Sequence, residues 1–205
     1  MYIPKHYEMK DFEEIKAFIE KHSFGTLVTA LDGKPLATHL PMELVKRGDD
    51  YYLTGHLAYR NPQWQTFGDD PVLVMFQGPH AYISSSWYQS EDVPTWNYQS
   101  VHVYGTATLM VEQELQEDLS RLLQKYENHR KDPVLWEKLS PQAKKQIKGI
   151  VGFKVKVEDV QAAYKLSQTR PEEDYENIVE QLSQADDLNS QQLAVAMKAN
   201  RQKGD

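Results

Sequence analysis

Cysteine is absent from this sequence of 205 residues. Its absence excludes disulfide bonds, thiolate catalysis, and zinc or iron–sulfur sites with cysteine ligands. Long hydrophobic runs are also absent, so no segment is long and apolar enough to span a membrane. Residues 1–6 lack the apolar core of a secretory signal peptide. We therefore expect a cytoplasmic protein that does not interact with a membrane.

Positive charge is scarce: 23 Lys and Arg face 30 Asp and Glu, which gives a net charge of −7. A broad nucleic-acid interface usually appears as an excess of basic residues on one face, so this balance argues against one. Internal repeats and low-complexity linkers are missing as well. The chain therefore predicts one domain over residues 1–168, followed by a helical extension over 169–205 that packs on this domain or on a dimer partner.

Alternating apolar and β-branched residues predict a fold that is α+β and mainly β. Asp32-Gly33 is typical of a hairpin turn between two strands. Gly78-Pro79 interrupts the pattern between two further strands, and Gly105 indicates a bulge or bend. Predicted strands cover residues 24–30, 36–45, 51–55, 72–77, 81–85, 96–111 and 149–157. Six or seven antiparallel strands of this kind favour a small barrel or sandwich.

Apolar residues spaced three and four apart predict helices around these strands. Asp11 and Glu14 form a capping-box pattern at the start of the first helix. Glu172, Glu173 and Asp174 place negative charge at the start of a later helix, where the helix dipole favours it. Predicted helices cover residues 11–21, 62–67, 112–128, 141–148, 172–185 and 189–202. The last two are expected to form a C-terminal helical pair.

Residues 55–64, Gly-His-Leu-Ala-Tyr-Arg-Asn-Pro-Gln-Trp, hold the most informative motif. Asn61 is a good N-cap, and Pro62 fits the first helical position. A helix N terminus offers free backbone N–H groups and partial positive charge, and both suit a phosphate. With Arg60 and His56 beside it, this segment predicts a site for a phosphate monoester. The alternative is a capped surface helix that binds nothing.

Four of the seven histidines lie in predicted strands or at their ends: His39, His56, His80 and His102. Metal ligands usually occur as close pairs or together with carboxylates. These four are dispersed and have no acidic residue beside them. The sequence therefore predicts no dedicated metal site.

Short motifs between residue 2 and about residue 182 have a distinctive order. They are Tyr2-Ile3-Pro4-Lys5-His6, Phe24-Gly25-Thr26-Leu27-Val28-Thr29, Ala37-Thr38-His39-Leu40-Pro41, Gly55-His56-Leu57-Ala58, Asn61-Pro62-Gln63-Trp64, Gly78-Pro79-His80-Ala81-Tyr82-Ile83-Ser84, Pro94-Thr95-Trp96-Asn97-Tyr98, Val101-His102 and Lys165-Leu166-Ser167-Gln168. Together they resemble the PaiB family. Its members are described as negative transcriptional regulators of sporulation and degradative-enzyme genes in bacilli.

The PaiB family is similar to the FMN-binding split β-barrel group, which includes flavin reductases and pyridoxamine-phosphate oxidases. Proteins of that group form dimers with two flavin sites at the dimer interface. The resemblance therefore implies a split β-barrel with peripheral helices, FMN as the cofactor, and a homodimer.

In that group the FMN phosphate lies near the strand-to-helix segment that here runs from His56 to Asn61. The resemblance implies that Arg60 pairs with phosphate oxygens in a forked geometry, while Asn61 presents the helix end. Thr38 and His39, on the preceding strand, are candidates for further hydrogen bonds. For His39, a histidine satisfied within its own strand is an equal alternative.

A flavin ring needs a flat apolar wall and polar groups at its pyrimidine edge. The candidates for the wall, in one subunit or its partner, are Trp87, Trp96 and Tyr98. The candidates for the polar edge are Asn97, Lys165, Ser167 and Gln168. For each aromatic residue the alternative is a place in the β core.

Three functions follow from the resemblance. The first is a flavin-binding repressor, although basic residues such as Lys144, Lys145 and Lys148 fit a solvated helix face and give direct DNA binding weak support. The second is an FMN-dependent oxidoreductase, in which Lys165 or Arg170 steadies negative charge on reduced flavin. The third is a haem-binding split barrel, since haem needs only one histidine ligand. A nicotinamide signature is missing, which favours the regulator.

Overall fold

The computed structural model describes residues 1–202 of the chain. The strands are β1 (Glu8–Met9), β2 (Phe24–Leu31), β3 (Lys34–Pro41), β4 (Glu43–Arg47), β5 (Asp50–Ala58), β6 (Val72–Ile83), β7 (Thr95–Leu109) and β8 (Ile150–Lys165). They form one eight-stranded sheet in the order β3-β2-β6-β7-β8-β5-β4, and β1 pairs with β8. The pairs β1–β8, β2–β3, β2–β6, β4–β5 and β5–β8 are antiparallel, and β3 and β4 lie at the two edges of this open sheet.

Helices complete the described part of the chain. The α-helices are α1 (Phe12–Lys21), α2 (Glu112–Glu127), α3 (Pro141–Lys144), α4 (Glu172–Gln184) and α5 (Leu188–Arg201). Short 3₁₀-helices cover Lys5–Tyr7, Pro62–Thr66, Ser85–Trp87, Trp136–Lys138 and Lys145–Gly149. Helices α4 and α5 are the C-terminal pair that the sequence predicts. Within residues 1–202, no helix combines the length and the hydropathy needed to cross a membrane.

The β2–β3 hairpin forms where the sequence predicts it. Asp32 and Gly33 have positive φ angles of 50° and 76°, a turn geometry that matches the twist of paired strands. The resulting register places Leu27 opposite Thr38 and Thr26 opposite His39. Because side chains alternate along a strand, Thr38 and His39 point to opposite faces of the sheet.

Gly78-Pro79 does not interrupt the sheet, contrary to our expectation of two separate strands, because β6 continues through both residues. A Cβ atom at position 78 would lie 2.6 Å from Cε2 of Phe18. At position 105 a Cβ atom would lie 1.7 Å from the carbonyl oxygen of Lys156. Both glycines are therefore needed for close packing rather than for ending a strand.

Two further boundaries differ from the predicted ones. The segment predicted as one strand, 36–45, divides at Met42, whose backbone N–H donates to the Ser23 carbonyl at 2.8 Å. The last strand, predicted over 149–157, extends to Lys165. With the two-residue β1, these changes give eight strands instead of six or seven.

The described residues fall into two compact units. The first unit holds residues 1–22, 76–102 and 161 onward. In it Phe18 of α1 packs on Tyr164, with 5.6 Å between the ring centroids. Asn189, at the start of α5, exchanges two hydrogen bonds with the backbone of His80, at 2.7 and 3.3 Å. Helix α5, in the predicted extension over 169–205, thus contacts β6 within this unit; residues 203–205 lie outside the described residues.

The second unit holds residues 23–75 and 103–160. Its core consists of strand residues with no exposed surface, among them Leu27, Leu53, Val74 and Phe153, each 0% exposed. Helix α2 adds one buried apolar residue, Leu115, to this unit, together with a buried carboxylate. The segment from the end of β5 to the 3₁₀-helix at 62–66 belongs to the same unit.

Candidate functional site

In the second unit, a small hydrogen-bond network joins β3 to the 3₁₀-helix that follows Asn61. Gln63 is only 2% exposed, and its side-chain carbonyl accepts from the Thr38 hydroxyl at 2.5 Å. Asn61 donates through Nδ2 to the same hydroxyl at 2.9 Å. Gln63 also donates through Nε2 to the carbonyls of Leu27 and Leu36, at 3.1 and 3.2 Å. The predicted residues Thr38 and Asn61 therefore lie together, bonded to protein groups.

The start of this 3₁₀-helix offers fewer donors than the sequence predicts. The helix has five residues, and Pro62 at its first position has no N–H group. The backbone N–H of Gln63 donates to the Asn61 side chain at 3.0 Å. Since its own cap satisfies this donor, little remains of the dipole and free N–H groups that favour an anion. A phosphate at this segment would therefore depend on side chains.

Arg60 is the side chain best placed for that purpose. It is exposed, and within residues 1–202 no hydrogen bond or ion pair involves its guanidinium group. All five of its N–H donors are therefore available to a ligand, in the planar fork that matches phosphate oxygens. His39 is exposed as well, and its ring stacks on Phe24 with 6.4 Å between centroids.

His56 has a different environment from the other predicted phosphate residues. It is half-buried in β5, opposite Gly152 of β8. Burial lowers the pKa of its imidazole, and the nearby Asp118 carboxylate counteracts part of this effect. Asp118 is itself buried and accepts from Arg121 at 2.5 Å. Burial therefore favours the neutral imidazole in the fold. In the described structure no hydrogen bond links His56 to Thr38 or Asn61.

In the first unit, two of the three predicted wall residues line one cavity. Trp87 and Trp96 both border a space of about 340 Å³ that also contacts His80 and Tyr82. Trp96 donates through Nε1 to Nδ1 of His80 at 3.2 Å, and its ring lies 6.2 Å from that of Tyr82. Tyr98 follows two positions after Trp96 on β7 and is half-buried. This cavity has the aromatic surface that a flat ring needs.

Three of the predicted polar-edge residues line a second, more polar cavity in the first unit. Asn97, Lys165 and Ser167 border a space of about 260 Å³. Lys165 donates to the hydroxyl of Thr95, and its ammonium lies 5.9 Å from the centroid of the Tyr7 ring. Burial, and next the positive charge of Arg170, lower the pKa of Lys165. The cavity thus holds a half-buried cation.

Two of the polar-edge candidates, Asn97 and Gln168, form hydrogen bonds with other protein groups. Asn97 is 0% exposed and donates through Nδ2 to the Ser167 hydroxyl at 2.8 Å. Gln168 does not line the cavity: its Nε2 donates to the carbonyls of His6 and Tyr164, at 3.0 and 2.7 Å. Its Oε1 accepts from the Leu166 N–H at 2.8 Å. These side chains hold the turn after β8 in place.

Sequence reasoning missed two residues that organise these surroundings. Gln63 belongs to one of the motifs, but nothing in the local sequence distinguishes a buried amide from an exposed one. The sequence suggests no role for His80 in the aromatic cavity, whereas its Nδ1 accepts from Trp96 and its backbone carbonyl accepts from Asn189. Within the described range, no group of three or more His, Asp or Glu side chains is arranged to hold a metal ion.

Comparison with known proteins identifies a family match and a relative that is similar over nearly the whole chain. Residues 1–159 match a family described as "Putative FMN-binding domain". The chain is 58% identical over 200 residues to "Protease synthase and sporulation protein PAI 2" of Bacillus subtilis (strain 168), covering 97% of each chain. This likeness confirms the resemblance inferred from the motifs.

Two solved structures share the fold at low sequence identity. The FAD and heme binding protein from Mycobacterium smegmatis is 14% identical with a TM-score of 0.60, covering 78% of this chain and 73% of that one. The flavocytochrome Anf3 from Azotobacter vinelandii is 18% identical with a TM-score of 0.61, covering 85% and 78%. These likenesses confirm the predicted split-barrel fold with peripheral helices.

Proposed function

The chain belongs to the family of FMN-binding domains, and on this premise we propose that it is an FMN-binding negative regulator of sporulation and degradative-enzyme genes. The name of the Bacillus subtilis relative, which refers to protease synthase and sporulation, supports the regulatory part. FMN is the cofactor that the family implies. A regulator of this kind acts in the cytoplasm, which is the location we propose.

The observation that carries the FMN proposal is the free guanidinium of Arg60. Its exposure and the lack of a protein partner within residues 1–202 fit a phosphate monoester. Asn61 and Thr38 would position the backbone around Arg60 through the network with Gln63. His39 and His56 complete the proposed phosphate set, with His39 the more accessible of the two.

The first unit supplies the surfaces proposed for the flavin ring. Trp87, Trp96 and Tyr98 form the proposed wall, and the polar edge is assigned to Asn97, Lys165, Ser167 and Gln168. Lys165 is the cation of this set, and one of its three N–H donors is used by Thr95. Bound FMN supplies reversible one-electron and two-electron chemistry and a visible absorption band.

We propose a homodimer in which two copies of these surfaces are brought together. Exposed aromatic residues support it: Phe24 is 68%, Tyr59 58%, Tyr82 50% and Trp96 48% exposed. A two-fold partner is the commonest way to cover such apolar surface. Light scattering at micromolar concentration should give twice the chain mass of 23.8 kDa. A mass near the single-chain value would contradict the dimer.

The test of the cofactor begins with the visible spectrum of protein purified without added ligand, which distinguishes flavin from haem. Titrations with FMN and with riboflavin then isolate the phosphate contribution, because the two ligands share the ring and differ in the phosphate. We expect FMN to bind more tightly. Equal affinities for FMN and riboflavin would contradict the proposed phosphate site. Turnover of NADPH by the FMN-loaded protein would favour the oxidoreductase alternative.

A further inference from the structure

The polar cavity of the first unit contains more positive charge than a flavin edge requires. Its lining includes Lys165, Arg170, Thr95 and Thr169. The two cations lie close enough for the charge of Arg170 to lower the pKa of Lys165. Like charges held together in a partly desolvated space favour an anion between them.

The two cations differ in what neutralises them. Arg170 forms an ion pair with Asp92 and lies 4.1 Å from the centroid of the Tyr88 ring. The Asp174 carboxylate also raises the pKa of Arg170. Lys165 has no carboxylate within ion-pair distance in residues 1–202; its neighbours are the Thr95 hydroxyl and the Tyr7 ring. A half-buried ammonium without an acidic partner costs the folded state free energy.

A second polar group in the cavity also lacks a partner. Asn97 is 0% exposed, and its side-chain carbonyl oxygen has no hydrogen bond among the described residues. Buried polar atoms are nearly always satisfied, and exceptions need an explanation. Ser167, which holds the Asn97 amide, has a positive φ of 57°, a conformation that few residues other than glycine adopt. The wall behind Lys165 therefore holds a buried oxygen atom without a partner, next to a turn whose backbone conformation is unusual.

We propose that this cavity binds the oxyanion of a small second ligand, a phosphate or carboxylate group, in addition to FMN. Lys165 pairs with the anion. Thr95 and Thr169 line the same cavity, and their hydroxyls donate hydrogen bonds to the anion. At about 260 Å³ the cavity admits a metabolite-sized molecule.

Lys165 can serve this ligand and the proposed flavin edge together, because an ammonium has three donors and Thr95 uses only one. The proposal does not depend on FMN binding. The phosphate site at Arg60 lies in the second unit, so the two anion sites are separable by mutation. An Arg60→Gln background removes the other strong phosphate contact and leaves the cavity unchanged.

The experiment is calorimetric titration of inorganic phosphate, and separately of succinate, into the Arg60→Gln protein at low salt. We expect both probes to report one site, and the tighter of the two identifies phosphate or carboxylate as the natural group. Lys165→Met should weaken binding by about tenfold or more, the effect of losing a charge-assisted hydrogen bond. Lys165→Arg should retain most of the affinity.

The matched control is Lys156→Met, since Lys156 is an exposed lysine paired with Asp50 in the second unit. Phosphate affinity should be unchanged in that variant. Phosphate that binds Lys165→Met as tightly as its parent would overturn the proposal. So would displacement of phosphate by riboflavin, because the cavity would then belong to the flavin ring. Simultaneous binding of riboflavin and phosphate supports a second ligand.

Discussion

The two units share one arrangement. In each, the amides and hydroxyls that the sequence suggests as ligand contacts are hydrogen-bonded within the protein, while one candidate cation has no acidic partner among residues 1–202. In the second unit Thr38 and Asn61 are tied to Gln63, and the exposed Arg60 stays available. In the first unit Asn97 is tied to Ser167, and Lys165 stays without an acidic partner in residues 1–202. In the proposed assignment, the amides position the backbone, and the cations are the groups that contact the ligand.

Arg60 and Lys165 differ in solvent exposure. Substitutions at the two positions should therefore differ in their effect on stability as well as on ligand binding. Arg60 is exposed, so water stabilises its charge whether or not a ligand is present. Lys165 is half-buried, and burial lowers its pKa. Removing Arg60 should therefore change ligand affinity alone, whereas removing Lys165 also relieves a desolvated charge.

The largest expected effect concerns the two glutamines that anchor these sites. Gln63→Ala should lower the free energy of unfolding by about 2–4 kcal/mol, because it leaves buried carbonyls unpaired and opens a cavity. Gln168→Ala breaks as many hydrogen bonds, yet Gln168 is half-buried and water can replace its amide. We expect a loss of about 1–2 kcal/mol there.

Urea unfolding of the two variants and the parent measures this difference directly. The comparison assumes that the Gln63 network is the more deeply buried of the two, with 2% exposure at its centre. A loss at Gln168 equal to or larger than that at Gln63 would show that the turn after β8 is the more important anchor.

The next largest effect is on FMN affinity. Arg60→Ala should weaken FMN by about 1.5–3 kcal/mol, the range for a hydrogen bond to a charged group, and leave riboflavin affinity unchanged. Arg130→Ala is the matched control, because Arg130 is also exposed and pairs with Glu127. A parallel loss for riboflavin would mean that Arg60 acts on the ring or on folding.

The sequence predicted the fold better than it predicted the role of each polar residue. Alternation and turn residues located the β2–β3 hairpin and α1 closely, because their signals are local. Gly78-Pro79 misled the prediction, since the reason for Gly78 is the distant ring of Phe18. Likewise, whether a glutamine such as Gln63 faces a ligand or the core depends on strands that pair far along the chain.

A smaller effect is expected from the half-buried histidines. Burial lowers the pKa of both His56 in the second unit and His102 in the first. The unfolded chain then takes up protons at a higher pH than the fold does, so stability is lost as pH falls below about 6.5. The loss levels off below the pKa of the folded state.

A nearby charge also affects the pKa of each histidine, and in opposite directions. The Asp118 carboxylate raises the pKa of His56, whereas the N-terminal amino group lowers that of His102 further. Burial is the larger cause at both positions, so His56→Asn and His102→Asn should each flatten the pH dependence of the melting temperature between pH 8 and 5. Each unit of pKa lowering corresponds to about 1.4 kcal/mol. A variant whose melting temperature keeps the pH dependence of the parent would show that its histidine does not contribute.

The smallest effect is expected on DNA, where the two units also differ in charge. The first unit carries the acidic first turn of α4. The second carries the basic segment 121–148, but there Arg121 pairs with Asp118, Lys125 with Glu43 and Arg130 with Glu127. Three of the eight basic residues of this segment are therefore already neutralised, which reduces the charge available for phosphate contacts.

We expect no tight, sequence-specific DNA binding by the isolated protein at physiological salt. Any affinity from Lys144, Lys145 and Lys148 should be electrostatic, and it should fall by about a thousandfold between 50 and 200 mM salt if six phosphates are contacted. Titrations against random duplex measure the non-specific affinity, and titrations against promoter fragments from the same genome measure the sequence-specific affinity. Nanomolar binding to one fragment that survives 200 mM salt, and is lost when the three lysines are replaced by Gln, would establish direct repression through the second unit. Binding that stays weak on every fragment would instead indicate regulation through a ligand or a protein partner.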